Sequence, residues 1–181
     1  MDLPSDIMNE MNKKATIPGY TLDNAEQFVG RTLGVSNWHT VDQESINAFG
    51  DATFDPDPNH IDQEWAREKS PYGSTIAFGF QTLSLLTFLC KEAGIKPSGV
   101  VDEYNYGIDA ARFIAPVPSG ARIRAKCVLK NVRARGPKHK ILTISVEVEI
   151  EDGEKPALVA DWLVMCGNKK AQLQERMGQP S

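Results

Sequence analysis

The hydrophobic period of this chain switches at Gly94, from the spacing of a helix to that of a strand, and the switch limits the fold more than any other feature. Before it, in Ile76 to Ala93, residues Ile76, Phe80, Leu83, Leu86 and Cys90 recur at helical spacing. Leu85, Phe88 and Leu89 fill the other faces. A helix apolar nearly all round is a buried helix. This one is too short, and too interrupted by polar residues, to span a bilayer.

After the switch the period is two. Ile123, Ala125, Cys127 and Leu129 alternate with Arg122, Arg124, Lys126 and Lys130. Ile144, Val146, Val148 and Ile150 alternate with Thr143, Ser145, Glu147 and Glu149. These are two half-buried strands joined by the basic segment RARGPKHK, the pattern of a hairpin. Val100 to Gly107 and Leu158 to Met165 add strands. Upstream, Thr32 to Val41 suits a strand, Asp42 or Thr40 caps a helix reaching Phe49, and Ile61 to about Lys69 is helical. One buried helix followed by antiparallel strands is an α+β domain.

At 181 residues the chain is expected to form one domain, residues 26–167, between an N-terminal arm (1–25) and a polar C-terminal tail (168–181). Pro4, Pro18 and Gly19 break the arm, which is expected to lie outside the core. The tail reads as surface helix or disorder. A net charge of −4 argues against nucleic acid or an anionic membrane as main partner. The first residues contain no apolar run, so neither a signal peptide nor an anchor is expected, and the location is expected to be cytoplasmic. Cys90, Cys127 and Cys166 form no CxxC pair and read as reduced core cysteines.

Asp51, Asp55, Asp57 and His60 crowd into ten residues, GDATFDPDPNH. An acidic surface turn is one reading, since Asp, Asn and Pro form turns. A second reading, a calcium loop, matches only at its start: Asp55-Pro-Asp57-Pro-Asn59 opens like one, but His60 and Ala66 occupy the positions of its Gly and Glu. The third reading is acid–base chemistry. A carboxylate and an imidazole on a proline-stiffened loop can converge on one water, and histidine exchanges protons near neutral pH.

FGDATFDPDPNHID, followed by SPYGSTIAFGFQTLSLL, resembles the two central motifs of the MaoC-like dehydratases, a family that includes (R)-specific enoyl-CoA hydratases. The resemblance is strongest to the branch related to the nodulation protein NodN, and YGIDAARFIAPVPSGARIRAK extends it. It implies a hotdog fold, a curved antiparallel sheet wrapped around the central buried helix, and a homodimer or higher homo-oligomer. It implies hydration of a trans-2-enoyl-CoA to the (R)-3-hydroxyacyl-CoA, with the CoA thioester as substrate and no metal or other cofactor. Matched position by position, Asp55 and His60 become the acid–base pair and Gly79 the residue whose backbone N–H polarises the thioester carbonyl. The helix start independently favours that last role.

Three positions depart from the family pattern. Asp57 stands where Asn is frequent, and a second carboxylate beside Asp55 is expected to raise one of the two pKa values. Phe54 replaces a common Gly. Phe78 replaces the His that usually precedes the helix glycine, where it either packs or meets substrate. Thr87 is a candidate for the acyl pocket, while Ser84 is expected to satisfy neighbouring backbone. Arg133, Arg135, Lys138 and Lys140 form either a solvated hairpin tip or a contact for CoA phosphates. His39 is expected to end a strand, His139 to be solvated, and Asp51 to sit at a helix terminus. Trp38, Trp65 and Trp162 read as core or interface aromatics. A thioesterase on the same fold would place a carboxylate early in the central helix, and Ile76 to Leu89 has none. An acyl-CoA-binding protein without catalysis is the other rival, and Phe78 is its main support.

Overall fold

The computed structural model describes residues 17–168. A 3-10 turn at Ala25–Phe28 leads into β1 (Thr32–Val35) and β2 (His39–Thr40). Four short helices follow: α1 (Gln43–Thr53), α2 (Pro58–Ile61), α3 (Gln63–Lys69) and α4 (Gly79–Ser84). After α5 (Leu86–Glu92) come the long strands β3 (Val100–Phe113), β4 (Arg122–Arg135), β5 (His139–Ile150) and β6 (Leu158–Asn168). The strands form one antiparallel sheet in the order β1-β4-β5-β6-β3, with β2 also paired to β4.

Alternation places one face of this sheet against α5. Ile123, Ala125, Cys127 and Leu129 of β4 and Ile144, Val146 and Val148 of β5 are buried with Leu86, Leu89 and Cys90. Each large aliphatic side chain removed from water in this way contributes about 1.5–3 kcal/mol. Cys90 and Cys127, distant in sequence, meet across the helix–sheet contact with their Sγ atoms 3.5 Å apart. All three cysteines are free and buried. The bond to Cys127 and then burial push the Cys90 thiol well up, and burial pushes Cys166 up to about 12. Both are therefore protonated and unreactive at neutral pH.

Several expectations are corrected. Tyr20, Leu22 and Ala25 belong to the core, so the packed domain begins before residue 26; residues 1–16 and 169–181 lie outside the described residues. The strand expected over Thr32 to Val41 is two pieces: at Ser36 the N–H still donates to Ala125 O, but Ala125 N–H donates to the buried Ser36 Oγ in place of a backbone carbonyl. Asp42 caps α1 by accepting from Ser45 N–H, and that helix runs to Thr53, beyond Phe49. The central helix starts at Gly79, not Ile76, and divides at Leu85. Thr82 and Ser84 turn their hydroxyls back on the carbonyls of Phe78 and Phe80, a bond that bends helices. Ile76 and Ala77 are instead tied to the chain beyond β3, with Ala77 N–H donating to Val117 O at 2.8 Å.

His139 is not solvated. It lies half-buried, 3.0 Å from the Asp102 carboxylate. The pair reaches across β6 at Gly167, where a Cβ would stand 2.3 Å from Asp102 Oδ2 and 2.9 Å from the His139 ring. His39 does border a strand, stacked edge-on against Phe88. Trp162 is buried, while Trp38 is only partly covered and carries the Arg124 guanidinium over its ring.

Candidate active site

The loop after α1 is shaped by two backbone constraints. Gly50 lets the chain double back. A Cβ there would lie 3.1 Å from the Asp55 carbonyl oxygen and 3.2 Å from the Phe78 ring. Phe54 then ends α1 in the left-handed region, at φ 57°, with its N–H bonded to the carbonyls of Gly50 and Asp51. That conformation favours glycine, which accounts for the glycine common in the family. Phe54 gains little packing in return, being 92% exposed. Phe54→Gly is therefore expected to raise stability by about 1 kcal/mol, read from urea or thermal unfolding. A fall in stability would show that the ring has a packing partner in solution.

Asp55 follows, exposed, with its N–H donating to Gly50 O and its carboxylate accepting from Asp57 N–H at 3.3 Å. Asp57 caps α2, accepting from both the backbone and side-chain nitrogens of Asn59. Those bonds hold the Asp57 carboxyl below its ordinary pKa, foremost the one from the Asn59 backbone N–H. At Asp57 hydrogen bonding to the charged form therefore outweighs any rise from a neighbouring carboxylate. Asp51 occupies the last turn of α1, a helix-terminus position as expected.

The His60 ring is held by two contacts. Its Nδ1 lies 2.7 Å from the Ile76 carbonyl oxygen. A carbonyl can only accept, so Nδ1 carries a proton, and in the neutral imidazole Nε2 is the nitrogen that presents a lone pair. The Phe78 ring stacks on the imidazole with centroids 3.8 Å apart, and Phe78 is itself buried against Phe49. Phe78 thus packs and orients His60, and it is not among the residues lining the cavity described next.

A cavity of about 270 Å³ opens between the His60 loop, the start of α4 and the chain after β3. His60, Gly79 and Thr82 line one side; Tyr72, Phe113, Ile114, Pro116 and Val117 contribute to the rest. The wall is mostly apolar, with one imidazole and the first backbone N–H of a helix, a group that helices leave without an internal partner. The structure therefore brings His60 and Gly79 to one space. Asp55 stands on the same loop but is not part of the wall. Thr87 is not there either; Thr82, one turn earlier, is.

The basic residues lie elsewhere. β4 passes the cavity end of the sheet at Ile123, paired with Ile150, and carries Arg133 and Arg135 at its far end, opposite Ile141 and His139. Both guanidiniums approach the Tyr106 ring, and Lys140 is bonded to Glu26 at 2.8 Å. Neither these residues nor Lys138 line the cavity. Sequence reasoning had no signal for Gln43 and Thr75, which brace His60 from behind. The Ala115–Val117 wall lies in the IAPVP segment that carried part of the resemblance.

Residues 24–151 match the family described as MaoC like domain. The chain belongs to the MaoC-like dehydratase family. It is 42% identical over 145 residues to nodulation protein N of Rhizobium leguminosarum bv. viciae, covering 80% of this chain and 90% of that protein. It is 43% identical over 135 residues to 3-hydroxyacyl-thioester dehydratase Z of Mycobacterium tuberculosis, covering 75% and 88%. Among solved structures, the monoamine oxidase regulatory protein from Archaeoglobus fulgius superposes with a TM-score of 0.65 at 26% identity, covering 78% of this chain and 91% of that one. The (R)-hydratase from A. caviae, at 20% identity, shares the fold with a TM-score of 0.61 over 75% and 94%. The sheet packed around α4 and α5 is the hotdog fold of this family.

Proposed function

We propose that this MaoC-like protein reversibly hydrates trans-2-enoyl-CoA to (R)-3-hydroxyacyl-CoA. The observation that carries the reading is the shared cavity of His60 and Gly79, with the proton of His60 on Nδ1 and the Nε2 lone pair left to accept. Asp55, five residues upstream on the braced loop, supplies the carboxylate of the pair. The acyl chain enters the apolar space and its thioester oxygen accepts from Gly79 N–H. Asp55 and His60 hold one water. Its oxygen bonds to C3 as its proton passes to the pair, and the electrons of the double bond move toward the thioester. The Gly79 N–H stabilises the enolate-like oxygen. The pair then returns a proton to C2, so water is added and nothing else is consumed.

The assay that tests this separates bond chemistry from thioester cleavage. With a trans-2-enoyl-CoA, the ultraviolet absorbance of the conjugated double bond should fall while no free thiol appears. Thiol release from saturated acyl-CoA at a comparable rate, abolished by Asp55→Asn, would assign a thioesterase instead. Binding without turnover at any chain length would assign a carrier.

The resemblance also implies a homodimer, and β3 supports it. This 14-residue edge strand pairs only with β6 among the described strands, yet Tyr104, Tyr106 and Ile108 are exposed along it. An open, apolar edge of this length is a pairing surface. Phe113, at its end, lines the cavity, so a second copy added there would wall the mouth of the site. Ile108→Lys, which sets like charges against each other at a two-fold contact, should shift the sedimenting species from about twice 20.0 kDa to the monomer. A wild-type protein that sediments as a monomer at micromolar concentration would remove the edge from consideration.

A further inference from the structure

Gln43, the first residue of α1, reaches across to the His60 loop, and both ends of its amide are bonded. Its Nε2 donates to the His60 carbonyl oxygen and to Asn47 Oδ1, both at 2.8 Å. Its Oε1 accepts from the Thr75 hydroxyl and, at 3.4 Å, from Gln63 Nε2. The His60 carbonyl cannot donate, so the nitrogen must face it and the oxygen must face Thr75. Thr75 is 2% exposed and immediately precedes Ile76, the residue whose carbonyl holds the His60 ring. Ile76 N–H in turn donates to Asn59 O at 3.1 Å, which closes the bracket. Two stretches of chain, Asn59-His60 and Thr75-Ile76, are thus tied at the backbone, at the ring and through one amide. The intervening residues, 61–74, contain α3 and a turn and cannot fix that spacing by themselves.

We propose that Gln43, acting through Thr75, is a positioning residue that fixes the place and tautomer of the His60 imidazole. The amide keeps the Ile76 carbonyl at bonding distance from Nδ1, which leaves Nε2 bare and aimed from a constant place. Without the bracket the ring exchanges between tautomers, and only one has its lone pair on Nε2. For its activity arm the assignment rests on the hydratase reading above; its spectroscopic arm does not.

The test compares Gln43→Leu, Thr75→Val and Thr75→Ser with the wild type. Turnover and KM are measured on a trans-2-enoyl-CoA, and the imidazole nitrogen chemical shifts of His60 are recorded at neutral pH. Gln43→Leu and Thr75→Val should lower kcat by ~10-fold or more, since small displacements of a reacting group have effects of that size. KM should stay within about twofold, because neither side chain meets substrate. The nitrogen shifts should move from protonated Nδ1 toward a tautomer mixture. Thr75→Ser, which restores the hydroxyl, should return both readings to wild type. Unchanged kcat and nitrogen shifts in Gln43→Leu would overturn the proposal, as would a Thr75→Ser variant as impaired as Thr75→Val. Should Gln43→Leu fail to fold, Thr75→Val removes one hydrogen bond alone and decides by the same two readings. A wild-type protein inactive on every enoyl thioester would defeat the hydratase reading, and the nitrogen shifts would then decide the bracket alone.

Discussion

Asp55→Asn and His60→Gln are each expected to lower kcat for enoyl-CoA hydration by ~10²-fold or more while leaving the unfolding midpoint nearly unchanged. The reason for the first half is chemical. Asn cannot take a proton from water, and Gln offers no lone pair of suitable basicity where Nε2 stood. The second half follows from the local structure. Asp55 is exposed, and the bond its carboxylate accepts from Asp57 N–H can be accepted by an amide oxygen as well. His60 donates to the Ile76 carbonyl, and a glutamine amide retains a donor for it. Steady-state kinetics beside thermal unfolding read both halves at once. Near-normal turnover in either variant removes that residue from the chemistry, and a large stability loss with a matching loss of activity would reassign it to the loop's architecture.

The parts of this fold that could be read from the sequence are those where one period runs long enough to be unambiguous. β4 and β5 alternate over eight or more residues, so their inward faces, Ile123 to Leu129 and Ile144 to Ile150, were legible without any partner. Helix ends were harder. Nothing in the string AFGFQTLSLLTF marks Gly79 as the start, because what ends the preceding extended segment is the bond from Ala77 to Val117, forty residues away. The core role of Tyr20 and Leu22 was hidden for a related reason: Pro18 and Gly19 announce a turn, and turns say nothing about what their neighbours later cover.

At the site, motif and geometry divide the work. The loop motif pointed to Asp55 and His60, and the helix start to Gly79. What the motif could not convey is that one face of His60 is covered by Phe78 and its backbone gripped by Gln43, since those contacts join residues 17 and 18 positions apart. Charge alone left Arg133, Arg135, Lys138 and Lys140 open to two readings, a solvated hairpin tip or a contact for substrate phosphates. The register of β4 with β5 instead carries them away from the cavity of their own protomer, and Lys140 and Glu26 satisfy each other.

Phe78 gives the second large effect. Its ring is 5% exposed, stacked on His60, tilted against Phe49 and in van der Waals reach of Gly50. Truncation to alanine opens a void among three fixed neighbours, for which Phe→Ala substitutions lose about 3–5 kcal/mol. Phe78→Ala should therefore lower the unfolding free energy by about that amount. It should also lower kcat at temperatures where the protein stays folded, because the imidazole loses the surface that holds one of its faces. Phe78→His, the family's usual residue, keeps an aromatic ring in the stack and should retain turnover. Its stability loss should be smaller, about 1–3 kcal/mol for burying a polar ring. This pair of variants separates packing from chemistry. If Phe78→His abolished turnover at unchanged stability, the ring would have a part in substrate binding that the buried stack does not show. If Phe78→Ala left both stability and kcat intact, the His60–Phe78 stack would not be what holds the imidazole, and the bond to Ile76 would carry that role alone.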